Sequence, residues 1–109
     1  MEYPIFNNFS EIVTKEMTPG YFSKLIHTDT NTVNFLEVKA GSVSALHRHP
    51  HTQMAFVVEG IFEMTVEGEI RQLDSGQFVM IPSNALHGGT AITDCKLIDV
   101  FSPVREDYL

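Results

Sequence analysis

QMAFVVEGIFEMTVEGE, residues 53–69, decides the fold class. In its second half Phe62, Met64 and Val66 alternate with Glu63, Thr65 and Glu67, the period of a strand with one covered face. Its first half is rich in the Val and Phe that strands favour, and Gly60 and Gly68 punctuate the stretch with positions free to turn. The same grammar recurs on both sides. Residues 32–39 (TVNFLEVK), 77–81 (QFVMI) and 95–101 (CKLIDVF) read as strands, and residues 10–14 and 22–27 as weaker ones joined through Thr18-Pro19-Gly20. Ala40-Gly41, Asp74-Ser75-Gly76 and Pro82-Ser83-Asn84 supply the remaining reversals. No stretch carries a helical period. Many short antiparallel strands predict an all-β fold, a closed or nearly closed barrel, because closure removes exposed edges.

The 109 residues, 43% hydrophobic and 19% charged, leave length for one domain over 1–109. Fourteen acids against seven bases give a net charge of -7, which opposes phosphate backbones and anionic membrane surfaces, so nucleic acid is not an expected partner. No apolar run approaches a membrane helix, and the start MEYPIFNNFSEI lacks the basic and apolar regions of a signal peptide. With a single cysteine, Cys95, read as a small buried hydrophobe, the expectation is a cytoplasmic protein.

The histidines carry the chemical signal. Three of the five fall at His47, His49 and His51. On a strand, residues two apart share a face, so His47 and His49 aim two imidazoles inward while Arg48 faces out. Two such nitrogens suit a divalent ion such as Zn, Ni, Fe, Mn or Cu. Further ligands are required, and Gln53 and His87 stand as candidates beyond turns. A bare HxH also fits two exposed histidines, so the motif alone leaves both readings open.

The surrounding frame narrows it. Residues 41–60 read G-x5-H-x-H-x3-Q-x6-G and residues 76–87 read G-x5-P-x-N-x2-H. The two blocks resemble, in order and spacing, the two motifs of the cupin superfamily. The resemblance implies a small jelly-roll β-barrel with His47, His49, Gln53 and His87 holding one divalent ion, expected as Zn, Ni, Mn or Fe, on its inner wall. Three departures stand out: glutamine replaces the usual glutamate at 53, Asn84 replaces a glycine, and Ala91 an asparagine. Asn84 tolerates a left-handed turn. With only neutral ligands the ion would keep its full charge, which favours an anionic, carboxylate-bearing substrate.

The ending LIDVFSPVREDYL, residues 97–109, together with HRHPHTQ and the earlier TPGYFSKLIH and NFLEVKAGS, is similar to the pectin-degradation cupins of the KdgF type. That resemblance implies ring opening and ketonisation of 4,5-unsaturated monouronates from pectin or alginate to linear 5-keto-4-deoxyuronates, with Asp99, Phe101 and Arg105 at the active site. The residues agree in part. Leu97, Asp99 and Phe101 share one face of a strand, so Asp99 stands among apolar neighbours, where burial raises a carboxyl's pKa and a nearby metal lowers it. A strand-end acid turned to solvent is the plainer alternative. Arg105 beside Glu106 and Asp107 reads by itself as a solvated ion-pair partner, and only the resemblance makes it a carboxylate clamp.

His51 is expected at the rim behind the Pro50 break, and His27 at the surface. Met54, Met64, Met80, Phe56, Phe62 and Phe78 are expected as wall packing. A non-catalytic metal or sugar-acid binding module and an iron-dependent dioxygenase are the alternative functions, since one barrel hosts many chemistries. Outward apolar strand positions predict a homodimer.

Overall fold

The computed structural model describes residues 3–109. Ten strands follow one another: β1 (Lys15–Thr18), β2 (Tyr21–His27), β3 (Thr32–Val38), β4 (Val43–His47), β5 (Thr52–Glu59), β6 (Phe62–Val66), β7 (Glu69–Leu73), β8 (Phe78–Ile81), β9 (His87–Ala91) and β10 (Cys95–Ser102). They form a six-stranded sheet, β1-β2-β3-β10-β5-β8, and a four-stranded one, β4-β9-β6-β7. All pairings are antiparallel. This is the expected all-β jelly-roll arrangement, with one difference. Strands pair within each sheet and not between the two, so the barrel is an open, two-layered one.

The turns follow their residues. Gly60 at φ +90 links β5 to β6, where an added Cβ would meet the Asp94 carbonyl at 2.3 Å. Asn84 takes φ +63, as its side chain permits. The weak strand expected at residues 10–14 is instead a 3₁₀ turn, Phe9–Glu11, whose Asn8 side chain accepts from the Ser10 N–H, and the strand begins later, at Lys15. β7 and β9 were outside the expected set, and the strand expected to carry both His47 and His49 ends at His47, leaving His49 in the crossing to β5 ahead of Pro50.

Parity decides what lies inside. Register aligns Val38 with Cys95, Leu36 with Leu97 and Val57, Asn34 with Asp99 and Ala55, and Thr32 with Phe101 and Gln53. All these side chains face the opposite sheet. One end of the interior is therefore apolar, packed by Val38, Leu36, Val57, Leu97, Phe62 and Met64, each such burial being worth about 1.5–3 kcal/mol. The other end turns polar two residues at a time.

The same parity corrects the wall assignment. Phe62 and Met64 are buried, but Met54, Phe56, Phe78 and Met80 stand on the outer side of the six-stranded sheet, Phe78 and Met80 exposed at 54% and 68%. The cause is Gln53: with its side chain inside, Met54 and Phe56 must point out. Phe56 and Phe78 stack there with ring centroids 5.2 Å apart. Gly89 leaves room for the Phe62 ring of the neighbouring strand β6, since any Cβ there would lie 2.3 Å from it, and its carbonyl ties the two sheets by accepting the Tyr21 hydroxyl at 3.1 Å.

Candidate metal centre

β4 ends at His47, and the chain then crosses to β5 through Arg48, His49, Pro50 and His51. The segment is held by the turn facing it. The Asn84 N–H donates to the His49 carbonyl at 2.8 Å, and the Ser83 hydroxyl donates to that of Pro50. His47 pairs in register with His87 at the start of β9, so the histidine of the second sequence block lands beside that of the first. The nitrogens of His47, His49 and His87 lie within 4.8 Å of one another.

Each imidazole is fixed by the same device. Nδ1 of His47 lies 2.8 Å from the Ala45 carbonyl, Nδ1 of His49 3.0 Å from that of His51, and Nδ1 of His87 2.9 Å from that of Ala85. A carbonyl oxygen only accepts, so Nδ1 carries the proton in all three and the lone pair sits on Nε2. Burial pushes the pKa values of His49 and His87 down, which keeps these two rings neutral near pH 7.

Gln53 completes the set. Its Oε1 lies 3.0 Å from His49 Nε2, and its amide hydrogen-bonds the Asp99 carboxylate. Since that carboxylate takes the amide N–H, the carbonyl oxygen is the atom left facing His49. Two lone pairs therefore converge at 3.0 Å with no proton between them. The buried Nε2 of His87 has no hydrogen-bond partner either. A divalent cation satisfies all these acceptors at once, and neutral imidazole with an amide oxygen is a suitable donor set for one. His47, exposed, stands at the mouth.

Behind the cluster lies a cavity of about 100 Å³. Asp99 lines it, hemmed in by protein, and burial raises its pKa to about 7 although the Gln53 amide and the Arg105 charge both pull it down. Asp99 is thus an inward group and not a solvated strand-end acid. Phe101, 3% exposed, sets its ring edge-on to His49 at 5.6 Å. Arg105 differs from the solvated tail residue its neighbours suggested, being 7% exposed. Its guanidinium lies 4.8 Å from the Phe101 ring and 4.0 Å from that of Tyr108, and its backbone N–H donates to Thr32 Oγ1. Nε and Nη2 already grip Asp107 at 3.0 and 2.7 Å, so a ligand would meet the remaining Nη1 edge and not the whole fork.

His51 stays out of the cluster and contributes through its backbone carbonyl, the acceptor for His49. His27, expected at the surface, is half-buried, its Nδ1 2.8 Å from Thr32 Oγ1. Cys95 is buried, its thiol donating to the Ile61 carbonyl. Tyr21, Tyr108, Ser23 and Asn34 also line the cavity and were not singled out beforehand. The available signal was parity: in TVNFLEVK, Asn34 shares a face with Leu36 and Val38. Among the described residues no helix is long and apolar enough to cross a membrane.

The cupin domain family matches residues 34–101. The pectin degradation protein KdgF of Dickeya dadantii is 41% identical over 71 residues, an alignment spanning 63% of this chain and 64% of that relative. The structure of KdgF from a Halomonas species superposes with a TM-score of 0.90 at 34% identity, covering 98% of this chain and all of that one. An RmlC-like cupin from Shewanella frigidimarina gives 0.92 at 28% identity, over 98% and 97% of the two chains.

Proposed function

Because the chain belongs to the cupin family and is similar within it to the KdgF proteins, we propose that it opens the ring of 4,5-unsaturated monouronates and yields linear 5-keto-4-deoxyuronates. The observation that carries this reading is the placing of Asp99 on the same cavity as His47, Gln53 and His87, with His49 Nε2 turned toward Gln53 Oε1 beside it. Those four residues would hold a divalent ion, which when bound supplies Lewis acidity and a template for the anionic substrate.

The remaining work falls to the chain's own groups. Asp99 takes the proton of the anomeric hydroxyl. As the C1 carbonyl forms, the bond from C1 to the ring oxygen breaks, and its electrons pass to the oxygen on C5, leaving an enolate across C4 and C5 while the proton rests on Asp99. Return of the proton to C4 gives the C5 ketone. The substrate and product are isomers, so no oxidant is needed. The positive charge of Arg105, beside Phe101 on the cavity wall, suits the substrate carboxylate. Phe101, 3% exposed, and Tyr108 give the cavity aromatic surface beside that charge.

The deciding experiment adds an unsaturated monouronate to metal-loaded protein and follows the absorbance of its conjugated double bond together with dissolved oxygen. Absorbance is expected to fall without oxygen uptake. Oxygen consumption would establish a dioxygenase instead, and unchanged absorbance would leave a binding module.

Gln53→Glu tests the charge of the centre. The variant removes one unit of positive charge from the loaded site and sets a second carboxylate against Asp99, where the amide had donated. Metal content should be kept and KM for the uronate should rise. An unchanged KM at matched metal content would assign carboxylate binding to Arg105 alone.

A further inference from the structure

Two polar atoms inside the sandwich have no use in the scheme above. Oγ of Ser23, a residue with no exposed surface, and Oδ1 of Asn34, on a residue 5% exposed, are buried without a hydrogen-bond partner. Both residues face inward and line the cavity that Asp99, His47 and His87 share. Asn34 is the direct register partner of Asp99 across β3 and β10. Ser23 lies beyond it on β2, opposite Leu36. Leu36 stands opposite Ser23 and two residues from Asn34 on the same face of β3, and leucine or alanine would fill these positions without leaving an orphaned oxygen. An unsatisfied buried amide or hydroxyl costs stability, so a partner from outside the chain is the economical account of both.

The chemistry of the two atoms defines that partner. An amide oxygen only accepts, and a serine hydroxyl accepts or donates. A carboxylate brings no proton and would also face Asp99, so it does not belong at this end. A hydroxyl does. We infer that Asn34, with Ser23 beyond it, forms a subsite for the hydroxyl groups of a polyhydroxylated acid, so that the ligand lies with its carboxylate toward Arg105 and the histidines and its hydroxyl-bearing carbons against β2 and β3. The inference rests on the uronate reading for the kind of acid that enters.

Two carboxylates that differ in hydroxyl content separate the ends of the site. Galacturonate carries both a carboxylate and hydroxyls, whereas butyrate carries only the carboxylate. Calorimetric titration of metal-loaded protein should show galacturonate bound more tightly than butyrate. Asn34→Leu and Ser23→Ala should each weaken galacturonate by roughly 3- to 10-fold, the worth of one hydrogen bond, and leave butyrate and metal content unchanged. Asn34→Ala repeats the test without added bulk. Melting temperatures of Asn34→Leu and Ser23→Ala should not fall, since each removes an unpaired buried group. Equal affinity of the parent for the two acids, no binding of either, or variants that keep the parental preference would each overturn the subsite. Turnover of an unsaturated uronate by the parent is read separately. If the preference is lost in the variants and the parent shows no turnover, the subsite stands and the ring-opening reaction falls.

Discussion

Asp99→Asn is expected to retain fold and metal content and to lose roughly 10²- to 10⁴-fold in turnover, the usual contribution of a positioned general base. The swap keeps the size of the side chain, so Ala55 and Asn34 on either side in register keep their packing. It removes the oxygen that accepts the anomeric proton. Binding should survive: a saturated uronate, whose ring cannot be opened to an enol, ought to bind the variant about as well as the parent. Circular dichroism and metal analysis establish that fold and centre are intact. Parental turnover in this variant would make Asp99 structural and send the search for the base to His51 or Glu106.

Loss of the ion should be the other large effect. The purified protein is expected to hold about one divalent ion per chain, as a four-ligand site implies. His47→Ala, His49→Ala and His87→Ala should each lower that content sharply, and turnover with it, whereas His51→Ala should leave both nearly unchanged because its carbonyl, not its ring, supports His49. Chelation should also lower the melting temperature, since an ion bound only by the folded state at 1,000 times its Kd stabilises by about 4 kcal/mol. The residues involved span both sheets: His47 and His87 pair in the four-stranded one, and Gln53 lies in the six-stranded one. Parental metal content in the three histidine variants would sink the centre.

Much of this site is legible along the chain, for a physical reason. A metal centre on a strand-rich wall needs donors at fixed parity beside turns of fixed geometry, and both leave short marks in sequence, as in HRHPHTQ and PSNALH. For Asp99, parity with Leu97 and Phe101 leaves the solvent-facing reading open, and it is the resemblance carried by the ending LIDVFSPVREDYL that marks it. What escaped reading depends on pairing between strands distant in sequence. β9, HGGTA, has two glycines that weaken any strand signal but permit close packing on Phe62 and on the Ser44 carbonyl. β7, EIRQL, is an almost wholly exposed edge strand without a buried stripe. The outward aromatics of β5 and β8 read as inner-wall packing by hydrophobicity alone, although Gln53, once placed inside, settles the face of every other residue on its strand. Asn34 and Ser23 are invisible as a pair until β2 and β3 are aligned.

β10 sits between β3 and β5 in the middle of the six-stranded sheet, although it follows every other strand in sequence. During synthesis the ribosome therefore delivers the sheet's central strand after all its neighbours. Until residue 102 has emerged, β3 and β5 each present a full unpaired edge toward the gap, over an interval on the order of seconds at ordinary translation rates. An open edge of that kind recruits other strands, so the nascent chain is association-prone until β10 has emerged. The strand that closes the gap also brings Asp99 and Phe101. Assembly of the reactive centre and protection of the sheet are thus one event, and a nascent chain halted earlier has neither.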